Sequence, residues 1–286
     1  MLHRSLIGTV ALAAGLAFIA ADAQAFDQSK YPDWTGAWRR IATPGVTGQP
    51  GFDQTKRLGP PQQAPLTPEA EAIMRTSMAD QAKGGQGNYP TYICIPPGMP
   101  RTMNPYGAME IVITPHTTHM FMEHIHDSRR IHTDGRDWPK EIKPTLVGYA
   151  IGKWLDTDGD GKFDTLEIES RGMRGPRAFD ATGMPLHADN KTIVKERISL
   201  DKSNANVMLN DITTFDSSLT RPWAIIKRYG RNPNEKFSWH EENCPEGNAH
   251  VEIQGQGYFL SGDGHLMPSQ KDQPPPDLRH FKQSAK

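Results

Sequence analysis

Residues 156–167 read DTDGDGKFDTLE and place five carboxylates within twelve positions. Like charges at that spacing repel one another unless a cation neutralises them. The order of residue types matches a twelve-residue calcium loop. Asp156, Asp158 and Asp160 fall at its first, third and fifth positions, and Gly161 supplies the sharp turn at the sixth. Lys162 offers a carbonyl, Asp164 a water-mediated contact and Glu167 a bidentate carboxylate at the close. Ca2+ is therefore the expected cofactor, with Asp156, Asp158, Asp160, Lys162, Asp164 and Glu167 as its site.

The flanks decide what such a loop does. TLVGYAIGKW at 145–154 shows no helical stripe, and TLEIES at 165–170 alternates apolar and polar residues like a strand. The loop is thus expected to join two antiparallel strands, which bound calcium would lock together. A sensor would need paired helices that open, and no such pair flanks the loop.

The first 25 residues have the form of an export signal: His3 and Arg4, an apolar run from Leu6, then Ala23-Gln24-Ala25 as a cleavage site. This predicts a periplasmic or secreted protein with no integral membrane segment after cleavage. The formal net charge of −1 argues against a nucleic-acid partner. Cys94 and Cys244 are the two cysteines. In an oxidising compartment they are expected to pair in a disulfide, with a pair of buried thiols as the alternative.

The mature part reads as a single β-rich domain over 26–266, with an arm and helix over 26–90, a barrel over 91–266 and a flexible tail over 267–286. The Pro- and Gly-rich arm is anchored by Trp34 and Trp38, which flank Gly36. Thr67-Pro68-Glu69 caps a helix that runs to about Lys83 and stops at Gly84-Gly85. Strand texture follows at 109–115, 118–125, 128–134, 145–154, 165–170, 192–200, 206–215 and 223–229. Short turns between these runs predict an all-β fold, an antiparallel meander closed into a lipocalin-like barrel, with a two-sheet sandwich as the rival.

Two clusters bear on chemistry. His116, His119, His124, His126 and His132 crowd one region; His124 and His126 share a strand face, the spacing of a transition-metal pair that His132, His187 or Glu123 would complete. Arg129 and Arg130 must face opposite sides of a strand, so one enters a barrel and needs pairing. His187 precedes Asp189 by two residues, an arrangement that is equally a carboxylate orienting a general base or a capped turn. No nucleophile elbow, phosphate loop or dinucleotide fingerprint occurs in its required setting.

Further motifs carry a resemblance. They are WTGAW at 34–38, the Cys-x-Pro-Pro-Gly-x-Pro-Arg loop at 94–101, Met-Glu-Ile at 109–111, the Arg-Arg-Ile strand ending in Thr-Asp-Gly-Arg at 129–136, and 148–154. The series continues with His187 to Asp189, Glu196-Arg197, Pro222-Trp223 and the late Cys244-x-Glu246. In these the chain resembles a large group of exported bacterial proteins of unassigned activity. The resemblance implies a β-rich, barrel-like fold and brings no reaction with it. Relatives carry a short Glu-Gly-Asp turn where this chain has the acidic loop, which implies a local, stabilising role for calcium.

The reading that follows is an exported, calcium-stabilised barrel that binds a small apolar or aromatic ligand. Trp38, Met120, Phe121, Met122 and Trp223 are candidates for its lining, with Arg130 and Glu123 as polar anchors. The alternative is a periplasmic lyase, isomerase or hydrolase with His187, Asp189, His132, Glu123 and Arg130 as catalytic candidates.

Overall fold

The computed structural model describes residues 26–41, 64–83, 85, 87–88, 95–105, 107–123, 128–180, 182–239, 250–253, 255–260 and 265–276. The expected signal segment, both cysteines, His124 and His126 and residues 277–286 lie outside them.

The helix, α1 (Pro68–Ala82), begins where the capping chemistry requires. The Thr67 hydroxyl accepts from the Ala70 N–H at 3.2 Å, Pro68 opens the first turn, and Glu69 and Glu71 face its positive end. Among the described residues there are fourteen strands, the first within the arm ahead of the helix and the rest after it: β1 (Arg39–Arg40), β2 (Met109–Ile113), β3 (Thr117–Met122), β4 (Ser128–His132), β5 (Tyr149–Leu155), β6 (Thr165–Arg171), β7 (Arg177–Ala178), β8 (Pro185–Leu186), β9 (Ile193–Asp201), β10 (Asn204–Phe215), β11 (Trp223–Gly230), β12 (His250–Ile253), β13 (Gln256–Leu260) and β14 (Leu266–Pro268).

Nine of these form one mixed sheet in the order β1-β11-β10-β9-β6-β5-β4-β3-β2. It curls until its two ends meet. Beside β1, Trp38 exchanges both backbone hydrogen bonds with Met109 of β2, each at 2.8 Å, so the sheet is nearly closed and barrel-like. The period-2 pattern fills the inside: Met109 and Ile111, Met120 and Met122, Ile131, Leu166 and Ile168, Val194 and Ile198, Met208 and Ile212, and Tyr229 form one core with Trp34 and Trp38. Burying them supplies the main drive for the curl, at about 25 cal/mol per Å² of apolar surface.

The expected antiparallel meander differs at one seam. β4 and β5 run parallel, with Ile131 beside Ala150 and His132 beside Ile151. Alternation of inward and outward residues is the same in either strand direction, so the pattern carries no sign of this. Residues 133–148 carry the chain back outside the sheet, where Arg171 stacks on the Trp138 ring at 4.2 Å. At the seam a Cβ on Gly152 would come within 2.6 Å of the Ile131 side chain, so only glycine lets the two strands approach this closely.

A second core lies against this sheet. α1 and the β7–β8 hairpin bring Met74, Phe179, Met184 and Leu186 onto Leu219 and Trp223. β12, β13 and β14 form a small separate sheet. The segment expected to be a tail thus supplies Met267 and Pro268 of β14, and Lys271 donates its N–H to the Lys83 carbonyl beside α1. Among the described residues no helix is long and apolar enough to cross a membrane.

Candidate functional site

The acidic loop connects β5 to β6, two antiparallel strands paired from Tyr149–Arg171 to Leu155–Thr165. Its own carboxylates fold it. Asp156 accepts from the Gly159 N–H at 2.7 Å and the Gly161 N–H at 2.9 Å, with both glycines in the left-handed region. Asp160 accepts from the Lys162 N–H at 2.8 Å, and Asp164 from the N–H and hydroxyl of Thr157 at 3.0 and 2.6 Å. Burial pushes the Asp164 carboxyl up, but hydrogen bonds from Thr157 and Thr165 outweigh it and leave the carboxyl below its ordinary value. Oxygens of Asp156, Asp158 and Asp164 lie within 4.8 Å of one another. Asp160 faces its own turn, and Glu167 pairs with Arg197 across β9 at 2.7 Å. The donors that converge are hard oxygens, the kind calcium takes.

The N-terminal arm passes directly over this loop. Tyr31 packs on Phe163 at 5.0 Å and edge-on to Trp154 at 5.3 Å, and Trp34 lies 4.8 Å from Trp154. Arg231 holds the arm from the other side, donating to the Thr35 carbonyl at 2.7 Å, pairing with Asp33 at 3.1 Å and lying over the Trp38 ring at 4.8 Å. The Thr35 hydroxyl first, with help from Arg231, keeps the Asp33 carboxyl below its ordinary value. Between the arm and β2 lies a cleft of about 400 Å³, lined among others by Tyr31, Trp34, Asp33, Ile111 and Ile113. The Trp34 indole is 1 % exposed and its N–H has no hydrogen-bond partner among the described residues.

A larger depression of about 460 Å³ lies on the outer face of β5, β6, β9 and β10. Its wall is a ladder of alternating charge in which Lys153, Glu167, Arg197 and Asp211 are consecutive cross-strand neighbours. That face is a solvated surface whose charges already answer one another. The arm cleft, by contrast, is walled by the rings of Tyr31 and Trp34.

Inside the barrel the paired arginine is Arg129 rather than the expected Arg130, and its partner is Glu196 rather than Glu123, because the register of β4 turns Arg129 inward. Its guanidinium grips Glu196 at 2.6 and 3.1 Å, donates to Ser170 at 3.3 Å and touches the Met103 sulfur. Asn210 completes the carboxylate's shell at 2.9 Å. Arg130 lies on the exposed outer face opposite His119. Glu123 accepts from the Ala108 N–H at 2.8 Å. His132, half-buried on the outer face, rests against Tyr149 at 4.8 Å; burial first, then Arg136, lowers its pKa. Of the proposed lining, Trp38, Met120, Met122 and Trp223 are buried in the cores and Phe121 is exposed.

His187 has a left-handed backbone and is 2 % exposed. One ring nitrogen meets the Met99 carbonyl at 2.6 Å and the other the Thr192 hydroxyl at 2.6 Å, and Thr192 continues to Asp216. A carboxylate does stand behind this imidazole, but it is Asp216; Asp189 is exposed and accepts from the Lys191 N–H. With both nitrogens engaged, the ring ties the 95–103 loop to the barrel.

The residues that sequence reasoning left aside are Asp216 and Lys227. Lys227 had a signal: it falls in phase with Trp223, Ile225 and Tyr229, where alternation demands an inward side chain. Set beside known proteins, the chain matches no protein-family model and no curated sequence.

Proposed function

We propose that this protein is an exported, calcium-stabilised β-barrel protein that binds a small aromatic molecule bearing a hydrogen-bond acceptor, in the cleft between the arm and β2. The observation that carries the reading is Trp34: it lines the cleft, and its buried indole N–H has no partner among the described residues. A buried donor left unsatisfied costs about 1–3 kcal/mol, which an acceptor on a ligand would recover. Tyr31 and Trp34 give that ligand aromatic surface, and about 400 Å³ suits a molecule of one or two rings.

Calcium belongs to the same reading. Asp156, Asp158 and Asp164 would hold the ion, with the Lys162 carbonyl, Asp160 and Glu167 completing the shell as Glu167 exchanges Arg197 for it. The ion supplies positive charge that fixes the loop beneath the arm. The test is a titration of the full chain with coumarin, a neutral aromatic carbonyl compound, followed by tryptophan fluorescence. Saturable quenching that weakens about tenfold in Trp34→Phe supports the cleft, in keeping with the loss of one neutral hydrogen bond. Quenching that is non-saturable, or unchanged in the variant, removes it.

A further inference from the structure

The interior holds a lysine amine with no counter-ion of its own among the described residues. Lys227 enters the barrel from β11, is 1 % exposed, and its amine nitrogen has no hydrogen-bond partner among the described residues. Its cross-strand neighbour Asn210 gives its amide N–H to Glu196 and leaves its own oxygen unpartnered. Glu196 in turn is held by two nitrogens of Arg129, so its charge is already answered. The groups acting on Lys227 are therefore mostly repulsive: Arg101 and Arg40 oppose its protonation, and Glu196 alone favours it. Burial first, then Arg101, brings the amine down to about 7. An amine that is desolvated beside another cation, and so carries a large neutral fraction at pH 7, is a nucleophile.

Its position gives it a route to a substrate. The nitrogen lies 5.8 Å from the Phe179 ring, which belongs to the core formed by α1 and the β7–β8 hairpin, whereas Tyr229, two residues on, belongs to the barrel core. Lys227 thus sits where two separately packed clusters meet. Separating them would expose the amine while leaving the nine-stranded ladder intact, as a local opening does.

We propose that Lys227 is a nucleophilic amine that forms an imine with a small apolar aldehyde or ketone admitted between the two cores. The nitrogen lone pair adds to the carbonyl carbon, giving a carbinolamine. One amine proton passes to the oxygen in that step, and the carbinolamine then loses its one remaining N–H proton together with the hydroxyl as water, leaving a C=N bond. Phe179 and Trp223 offer the aromatic surroundings for the carbonyl compound's apolar part.

The experiment treats the full chain at pH 7 with benzaldehyde and sodium cyanoborohydride, which reduces an imine to a stable benzylamine, and maps the adduct by peptide mass spectrometry. Lys227 is expected to react first, because its neutral fraction exceeds that of an exposed lysine by on the order of a thousandfold. Its labelling rate levels off above about pH 7, while that of exposed Lys153 and Lys195 climbs towards pH 10. Lys227→Met loses the early adduct. Labelling confined to exposed lysines, or Lys227 reacting no faster than Lys153 in the unaltered protein, overturns the proposal without recourse to the variant. The site is separate from the arm cleft, so coumarin binding without Lys227 labelling removes only the amine, and the converse removes only the cleft.

Discussion

The backbone N–H of Phe163 donates to the carbonyl of Lys30 at 2.7 Å. That bond joins the acidic loop to the arm that walls the cleft, and the rings of Phe163 and Tyr31 reinforce it at 5.0 Å. Calcium in the proposed site would therefore fix the arm along with the loop and order the proposed cleft in advance of a ligand.

Calcium and coumarin should accordingly bind with positive coupling. Coumarin affinity in calcium is expected to exceed that in EDTA by about fivefold, a coupling of ~1 kcal/mol, with calcium affinity rising equally when coumarin is present. Phe163→Ala removes the ring contact and should reduce the factor towards one; equal affinities in calcium and EDTA for the unaltered protein would refute the coupling.

Glu196→Gln should destabilise the fold by about 3–5 kcal/mol, because it leaves the Arg129 guanidinium buried without its counter-charge. Replacing both partners by apolar residues of similar volume, Arg129→Met with Glu196→Leu, should restore much of the loss. Urea unfolding measures both; a single variant as stable as the parent would contradict the buried pair.

Lys227→Met should have the opposite sign. The folded amine titrates at about 7, well below its unfolded value of roughly 10.4, so the unfolded state binds the proton more tightly between those values. The group's contribution is fully present above the unfolded value and is lost as pH falls towards 7. At pH 7 the variant is expected to gain up to roughly 5 kcal/mol, shrinking towards pH 10. Unfolding free energies at the two pH values check this, and a destabilised variant at pH 7 would contradict it.

His187 should make the fold acid-sensitive. Burial, the largest influence, lowers its pKa below the ordinary 6.5, so its contribution is present above 6.5 and lost as pH falls towards the folded value. Compared with His187→Gln, the unaltered protein is expected to lose more stability between pH 6.5 and pH 5; parallel pH profiles would show that the imidazole does not titrate on unfolding.

How much of this was legible follows from which facts are local. The cap at Thr67 and the β11 alternation lie within a few residues, so the helix and most strands could be placed from spacing alone. The parallel seam between Ile131 and Ala150 could not, because side-chain phase is blind to strand direction. Which of Arg129 and Arg130 points inward depends on register, and the partner, Glu196, lies 67 residues away. His187 likewise takes Asp216 from 29 residues on, where local spacing offered Asp189. Trp34 was visible as an anchor, but its idle N–H is a property of packing.

The account stands first on calcium. Calorimetric titration of CaCl2 into chelator-stripped protein should show one ion bound per chain, with a melting temperature that rises with calcium and returns in EDTA. Asp156→Ala with Glu167→Ala should abolish both effects. No heat of binding, together with the same melting temperature in calcium and in EDTA, would contradict it.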